Sequence, residues 1–154
     1  MRLWHYKLIP FLPKSQLLAQ WRELNSIFKK QDKHILINYV YEYPKVDLLE
    51  YTFLVIYEMN KRNYKIKSFE NAYNYFQDLL CSSIFKENYI PNEFIDGFKS
   101  ERNLFTNHHN YRYLKQCFYN LQEKYDRGQK DFSEELFNKL NDFMIDEMMR
   151  EDCF

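Results

Sequence analysis

An arginine and a glutamate stand side by side in the first amphipathic stretch of the chain, Ser15-Gln16-Leu17-Leu18-Ala19-Gln20-Trp21-Arg22-Glu23-Leu24. Just upstream lies a short N-terminus, Met1-Arg2-Leu3-Trp4-His5, and a basic stretch ending in Lys33-His34 follows. A helix-borne carboxylate close to a free α-amine is a compact apparatus for imine chemistry on a sugar, and it needs neither metal nor cofactor. An α-amine has a pKa of about 7.7–8.0, against about 10.4 for lysine, so roughly a tenth of it is neutral and nucleophilic at pH 7. The carboxylate must sit where its protonation is tunable. At about 100° per residue, Glu23 falls roughly 130° from the centre of the apolar stripe Leu17, Trp21, Leu24 and Phe28. Gln16, Gln20, Ile27 and Lys30 share its side, whereas Arg22 points toward Ser26 and Lys29. Desolvation by Ile27 and a packed N-terminus would raise its pKa, as a general acid/base requires. The alternative is a surface glutamate paired with Lys30 or Arg22.

The elements that must position these groups read as helices. Ser15 is placed to cap the first. A second runs from Val46, after Pro44, to about Arg62, with Leu48, Leu49, Phe53, Ile56 and Met59 inward. A third follows Ser68, with Phe69, Ala72, Tyr73, Phe76, Leu79 and Leu80 on its inner side. Pro91 and Gly97 mark a loop. The fourth spans Asn110 to Arg127 with Leu114, Cys117, Phe118, Leu121 and Tyr125 inward, and Gly128 is placed to end it. The last starts near Asp131 or Ser133, where Asp131-Phe132-Ser133-Glu134 fits a loose capping box, and carries Leu136, Leu140, Phe143 and Met144. The β-branched run Ile35–Tyr43 alternates like a strand but has no partner strand, so an extended or helical connector is expected. The fold class is all-α: one compact helical domain of about five helices, covering residues 1–154.

Composition narrows the partners. Of 154 residues, 45% are hydrophobic, enough for a real core. Aromatics reach 19%, with 14 Tyr and 14 Phe; rings filling the core account for them, and stacking on nucleic-acid bases is the other use. The 22 basic residues balance 22 acidic ones, so bulk charge announces no polyanion binder. The distribution is uneven. Residues 1–34 hold seven Lys/Arg against Glu23 and Asp32, a net of +5. Residues 131–154 hold eight acids against Lys139 and Arg150, a net of −6. Either a basic face opposes an acidic tail, or these are ordinary solvated helix faces. Cys81, Cys117 and Cys153 lack metal-ligand spacing and read as free thiols in a reducing compartment. With no long apolar core near the start and no run of membrane-span length, the expectation is a cytoplasmic protein without a membrane partner. His108-His109 with Cys117 is a poor metal set, because adjacent helical residues point about 100° apart.

Several separated matches fall in order over residues 1–66. The opening Met1-Arg2-Leu3-Trp4-His5-x-x-Leu8-Ile9-Pro10-x-Leu12-Pro13, the helix Gln16–Leu24, the Lys33-His34 pair and the stretch Leu54–Ile66 together resemble the pyrimidine-dimer DNA glycosylases of the phage endonuclease V type, and their bacterial branch in particular. The resemblance covers under half of the chain. It implies a repair glycosylase with a coupled AP lyase activity on double-stranded DNA carrying a base lesion or an abasic site. The family's nucleophile is the N-terminal α-amine, here that of Met1, since Arg2 is a poor context for removal of the initiator methionine. Its essential carboxylate matches Glu23 and its damage-binding arginine matches Arg22. Arg2, Lys29, Lys30, Lys33 and His34 would join Arg22 on the DNA. No cofactor and no metal are implied. Ser26 stands where a second basic side chain is expected, which leaves the lesion open. The competing reading is a non-enzymatic helical module that kept the fold and a basic face for nucleic acid or a protein partner. Oligomeric state is not legible.

Overall fold

The computed structural model describes residues 2–80 and 102–152. Met1, Cys81, Pro91, Gly97 and Cys153 therefore lie outside the described residues. Within them the chain is helical, without strands. A 3-10 helix, Tyr6–Phe11, precedes α1 (Lys14–Lys29), and a second 3-10 helix, Asn38–Glu42, precedes α2 (Lys45–Lys61). Then come α3 (Phe69–Tyr75), α4 (Tyr111–Asp126) and α5 (Glu134–Asp152). The run Ile35–Tyr43 is thus a turn followed by 3-10 helix, the helical one of the two connectors expected.

The core is organised around the N-terminal segment. Leu3, Leu8, Ile9 and Leu12 are buried, and the first 3-10 helix packs against α2, α4 and α5 together. Burying such side chains contributes about 1.5–3 kcal/mol each, so the opening dozen residues are a central strut. Arg62, at the end of α2, holds that strut: its guanidinium donates to Leu12 O at 2.6 Å and Pro10 O at 3.0 Å while pairing with buried Glu58 at 2.8 Å. Helix α1 packs on α2 and α3 through Leu17, Trp21, Leu24 and Ile27.

Helix boundaries differ from the sequence expectation in instructive places. Ser15 does not cap α1. Pro13 precedes the first turn, and the Ser15 N–H and hydroxyl both go to the Asp131 carboxylate. Asp131 is thereby taken from α5, whose first turn is capped by Ser133, with Leu136 N donating to its hydroxyl at 3.1 Å. Helix α3 stops at Tyr75, which leaves Leu79 largely exposed instead of inward. At the end of α4, Gly128 (φ +80°) closes a Schellman motif, its N–H on Tyr125 O and the Gln129 N–H on Lys124 O. Asn63 (φ +61°) closes α2 in the same way, with Asn63 N on Asn60 O and Tyr64 N on Met59 O. Nor does the acidic C-terminal helix simply face away from the basic N-terminus. Glu147 of α5 is buried and accepts from Lys7 Nζ at 3.2 Å.

Candidate active site

Four side chains, three of them on α1, α2 and α4, hold the backbone of residues 2–6. Gln20, buried on α1, accepts from Trp4 N at 2.8 Å and donates to Arg2 O at 3.3 Å. Tyr51, fully buried on α2, donates to Trp4 O at 2.7 Å and lies 2.8 Å from Gln20 Oε1. Tyr113 on α4 donates to Leu3 O at 2.5 Å. The fourth is His109. Its carbonyl accepts from His5 Nε2 at 2.9 Å, its Nδ1 accepts from Tyr6 N at 3.2 Å, and its Nε2 meets Tyr39 Oη at 2.6 Å. His5 Nδ1 in turn accepts from Lys7 N. Each imidazole uses one nitrogen as acceptor for a backbone N–H, which requires the neutral form. Burial pushes both pKa values down, to about 4 for His5 and well below the ordinary range for His109. The thiol of Cys117, free and buried, contacts this segment too, and burial pushes its pKa up.

Glu23 stands one turn beyond Gln20 on the same face of α1. It lines a cavity of about 490 Å³ with Arg2, Trp4, Gln16 and Gln20, walled opposite by Asn120, Glu123 and Lys124 of α4 and by Arg127, which caps its end. The Arg2 guanidinium lies over the Trp4 ring at 5.7 Å. Glu23 Oε1 is buried and has no hydrogen-bond partner among the described residues. Desolvation raises its pKa, Asp32 adds to the rise, and the positive charges of the α-amino group and His34 oppose it. An unsatisfied buried carboxylate oxygen is costly in a protein that has no use for it. Facing a polar cavity, it can accept from a ligand and exchange protons with it.

The other flank of α1 is different. A cleft of about 620 Å³ is lined by Arg22, Lys29, Lys65 and Lys67, together with Leu18, Trp21, Asn25 and Met59. The segment after α2 is drawn there by Trp21 Nε1, which donates to Lys67 O at 2.8 Å, and by Asn71, which bonds Asn25 at 3.0 Å. None of the four cations forms an ion pair among the described residues.

Sequence-predicted residues therefore divide among three places. Arg2 joins Glu23; Arg22 and Lys29 line the opposite cleft; Lys30, Lys33 and His34 are exposed along the loop that follows α1. Lys65, Lys67, Lys124 and Arg127 were not anticipated. The Lys-x-Lys pair flanking Ile66 and the i, i+3 spacing on α4 are the only signals that could have found them. His108 and His109 are engaged by Tyr43 and Tyr39, and no group of three or more His, Cys, Asp and Glu side chains among the described residues could hold a metal ion. No described helix is long and apolar enough to cross a membrane.

Among the described residues, Glu23 thus has an oxygen without a partner, close to the held segment of residues 2–6, and α1 carries cations without ion pairs on its far flank. Residues 1–71 match the pyrimidine dimer DNA glycosylase family. No curated protein and no solved structure matches the chain. The matched span includes Glu23, Gln20 and Tyr51, the strut of residues 2–12, and all four cations of the second cleft. The α4 wall, with Tyr113, Lys124 and Arg127, lies beyond the pyrimidine dimer glycosylase match.

Proposed function

We propose that the chain is a DNA-repair glycosylase with a coupled AP lyase activity, using the Met1 α-amine as nucleophile and Glu23 as acid/base. The observation that carries this reading is the buried Glu23 Oε1, without a partner among the described residues, in a cavity shared with Arg2, the residue next to Met1. In the proposed sequence the neutral amine attacks C1′ of the damaged nucleotide and the C1′–base bond breaks. The departing base takes up the proton that the attacking amine gives up, leaving a closed-ring aminosugar. The C1′–O4′ bond then breaks, O4′ takes up a proton from Glu23, and the opened sugar remains as an iminium on the amine. Glu23, as carboxylate, stabilises that cation. Loss of a C2′ proton then expels the 3′ phosphate by β-elimination, and water releases the amine from the cleaved sugar. A carboxyl with a raised pKa holds both protonation states nearer neutral pH, as the two proton transfers need.

Reaching C1′ inside a duplex requires bending or extrusion of a nucleotide. Arg22, Lys29, Lys65 and Lys67 would hold phosphates on one flank of α1, and Lys30, Lys33 and His34 along the following loop, so binding should weaken steeply with salt. The substrate is double-stranded DNA carrying a base lesion or an abasic site. The alternative, a binding module without catalysis, shares the basic cleft but gives Glu23 no task.

Borohydride reduction in the presence of abasic-site DNA tests the reading. The expected result is a covalent adduct that is lost on acetylating the N-terminus. Salt-sensitive binding without an adduct would establish the non-enzymatic module instead.

A further inference from the structure

The turn after α1 holds an apolar tip out into solvent. Ile35 is 80% exposed and Leu36 47% exposed, and Ile35 is the most exposed large hydrophobic residue of those described. Exposed aliphatic side chains on a floppy loop would mean little, but this turn is pinned. Ile37, two residues on, is fully buried. Asp32 N donates to Tyr41 Oη at 2.8 Å, and the Asp32 carboxylate accepts from His34 N at 2.8 Å. His34 Nδ1 accepts from Leu36 N, and His34 O accepts from Ile37 N and Asn38 N at 2.9 and 2.8 Å. The chain is anchored on both sides and the apolar pair is left projecting between the anchors.

Its surroundings specify what it meets. Exposed Lys30, Lys33 and His34 precede it directly. Ile35 and Leu36 form one wall of a hollow of about 220 Å³ whose other walls include Arg2, Tyr39 and Tyr113, and Arg2 also lines the Glu23 cavity. An apolar tip framed by cations, one residue's width from a site that must receive a sugar drawn out of a duplex, fits a stacked base step flanked by phosphates. Apolar side chains inserted between base pairs unstack them and kink the duplex.

We propose that Ile35, supported by Leu36, is a wedge that enters the base stack beside the lesion and holds the duplex open while the damaged nucleotide occupies the Glu23 cavity. This rests on the glycosylase/lyase reading above. The wedge acts on the duplex, not on the reacting sugar, so it should matter only where there is a stack to open. The pinned turn supplies the geometry before binding, so little ordering is required at insertion.

The test compares borohydride trapping on one abasic oligonucleotide, single-stranded and as a duplex, for the wild type, Ile35→Ala and Ile35→Met. The expected result is that Ile35→Ala loses at least tenfold in the duplex trapping rate with the single-strand rate within twofold of wild type, while Ile35→Met retains duplex trapping. A 2-aminopurine placed beside the abasic site should brighten with wild type and Ile35→Met but not with Ile35→Ala. Equal losses on both substrates, or no loss on either, would overturn the wedge while leaving the catalytic reading intact. A wild type that traps neither substrate would overturn the catalytic reading, and the wedge with it.

Discussion

Helix α1 turns a different hollow to each side. Toward the N-terminal strut it presents Gln16, Gln20 and Glu23, a polar wall with one carboxylate oxygen that has no partner among the described residues. Toward the segment after α2 it presents Arg22 and Lys29, which meet Lys65 and Lys67 in a cleft lined by no acid. Two neighbouring residues, Arg22 and Glu23, thus serve separate surfaces, because adjacent positions on a helix diverge by about 100°. One rigid element thus carries a desolvated carboxylate on one face and, on the other, cations with no acid among them. Arg2, Lys124 and Arg127 line the Glu23 cavity, yet burial still carries the carboxyl pKa upward, whereas the acid-free grouping of cations on the far flank is an arrangement that attracts polyanions.

That division makes the expected effects of substitution separable. Glu23→Gln should remove at least 10²-fold of turnover while leaving DNA affinity and its salt dependence intact, as read by single-turnover cleavage and by binding isotherms. In the proposed mechanism two groups shape the acid side of the pH–rate profile: the amine, which must be neutral and has an ordinary pKa of about 7.7–8.0, and below it the Glu23 carboxyl. With the carboxyl pKa raised by burial, the lower step should lie above the ordinary 4.5, and a lower step at or below 4.5 would contradict the desolvated site.

Next in size is the acid sensitivity of the strut. Folded His5 holds its proton less tightly than in the unfolded chain, so protonation favours unfolding. Stability from this group is complete above the unfolded value of about 6.5 and is lost as the pH falls toward about 4, amounting to about 3 kcal/mol. His109 acts in the same direction. Urea midpoints should drop between pH 7.5 and 4.5; midpoints flat across that window would mean the imidazoles are not held neutral.

Neutralising the other hollow should give the opposite pattern from Glu23→Gln. Lys65→Ala with Lys67→Ala should weaken duplex binding and reduce the slope of log affinity against log salt by about 2, with single-turnover cleavage at saturating protein little changed. A loss of cleavage at saturation would merge the two surfaces. The smallest effect expected is that of Tyr51→Phe, which removes the hydroxyl held between Trp4 O and Gln20 Oε1 and should cost about 1–2 kcal/mol in denaturation experiments.

What the sequence revealed follows from how local each signal is. Periodicity located five helices, and Gly128 marked an end because a left-handed residue is cheapest as glycine. Asn63 ends α2 by the same geometry and went unnoticed, since asparagine serves many other purposes. Glu23 stood out through its neighbours on one helix face, and its desolvation was foreseeable from that placement. Lys65, Lys67, Lys124 and Arg127 were not, because only tertiary contacts such as Trp21 Nε1 to Lys67 O bring them to α1. Ser15 and Asp131 were both read as caps from local pattern, but 116 residues apart they prefer each other.

The central claim is that the leading nitrogen of the chain bonds to C1′ beside Glu23. Its most direct test is to reduce the complex with abasic DNA, digest it and locate the added sugar by mass spectrometry. The account predicts the modification on the Met1 α-amine, with its yield changed in Glu23→Gln. Modification confined to a lysine such as Lys33 or Lys124, or none at all, would contradict it.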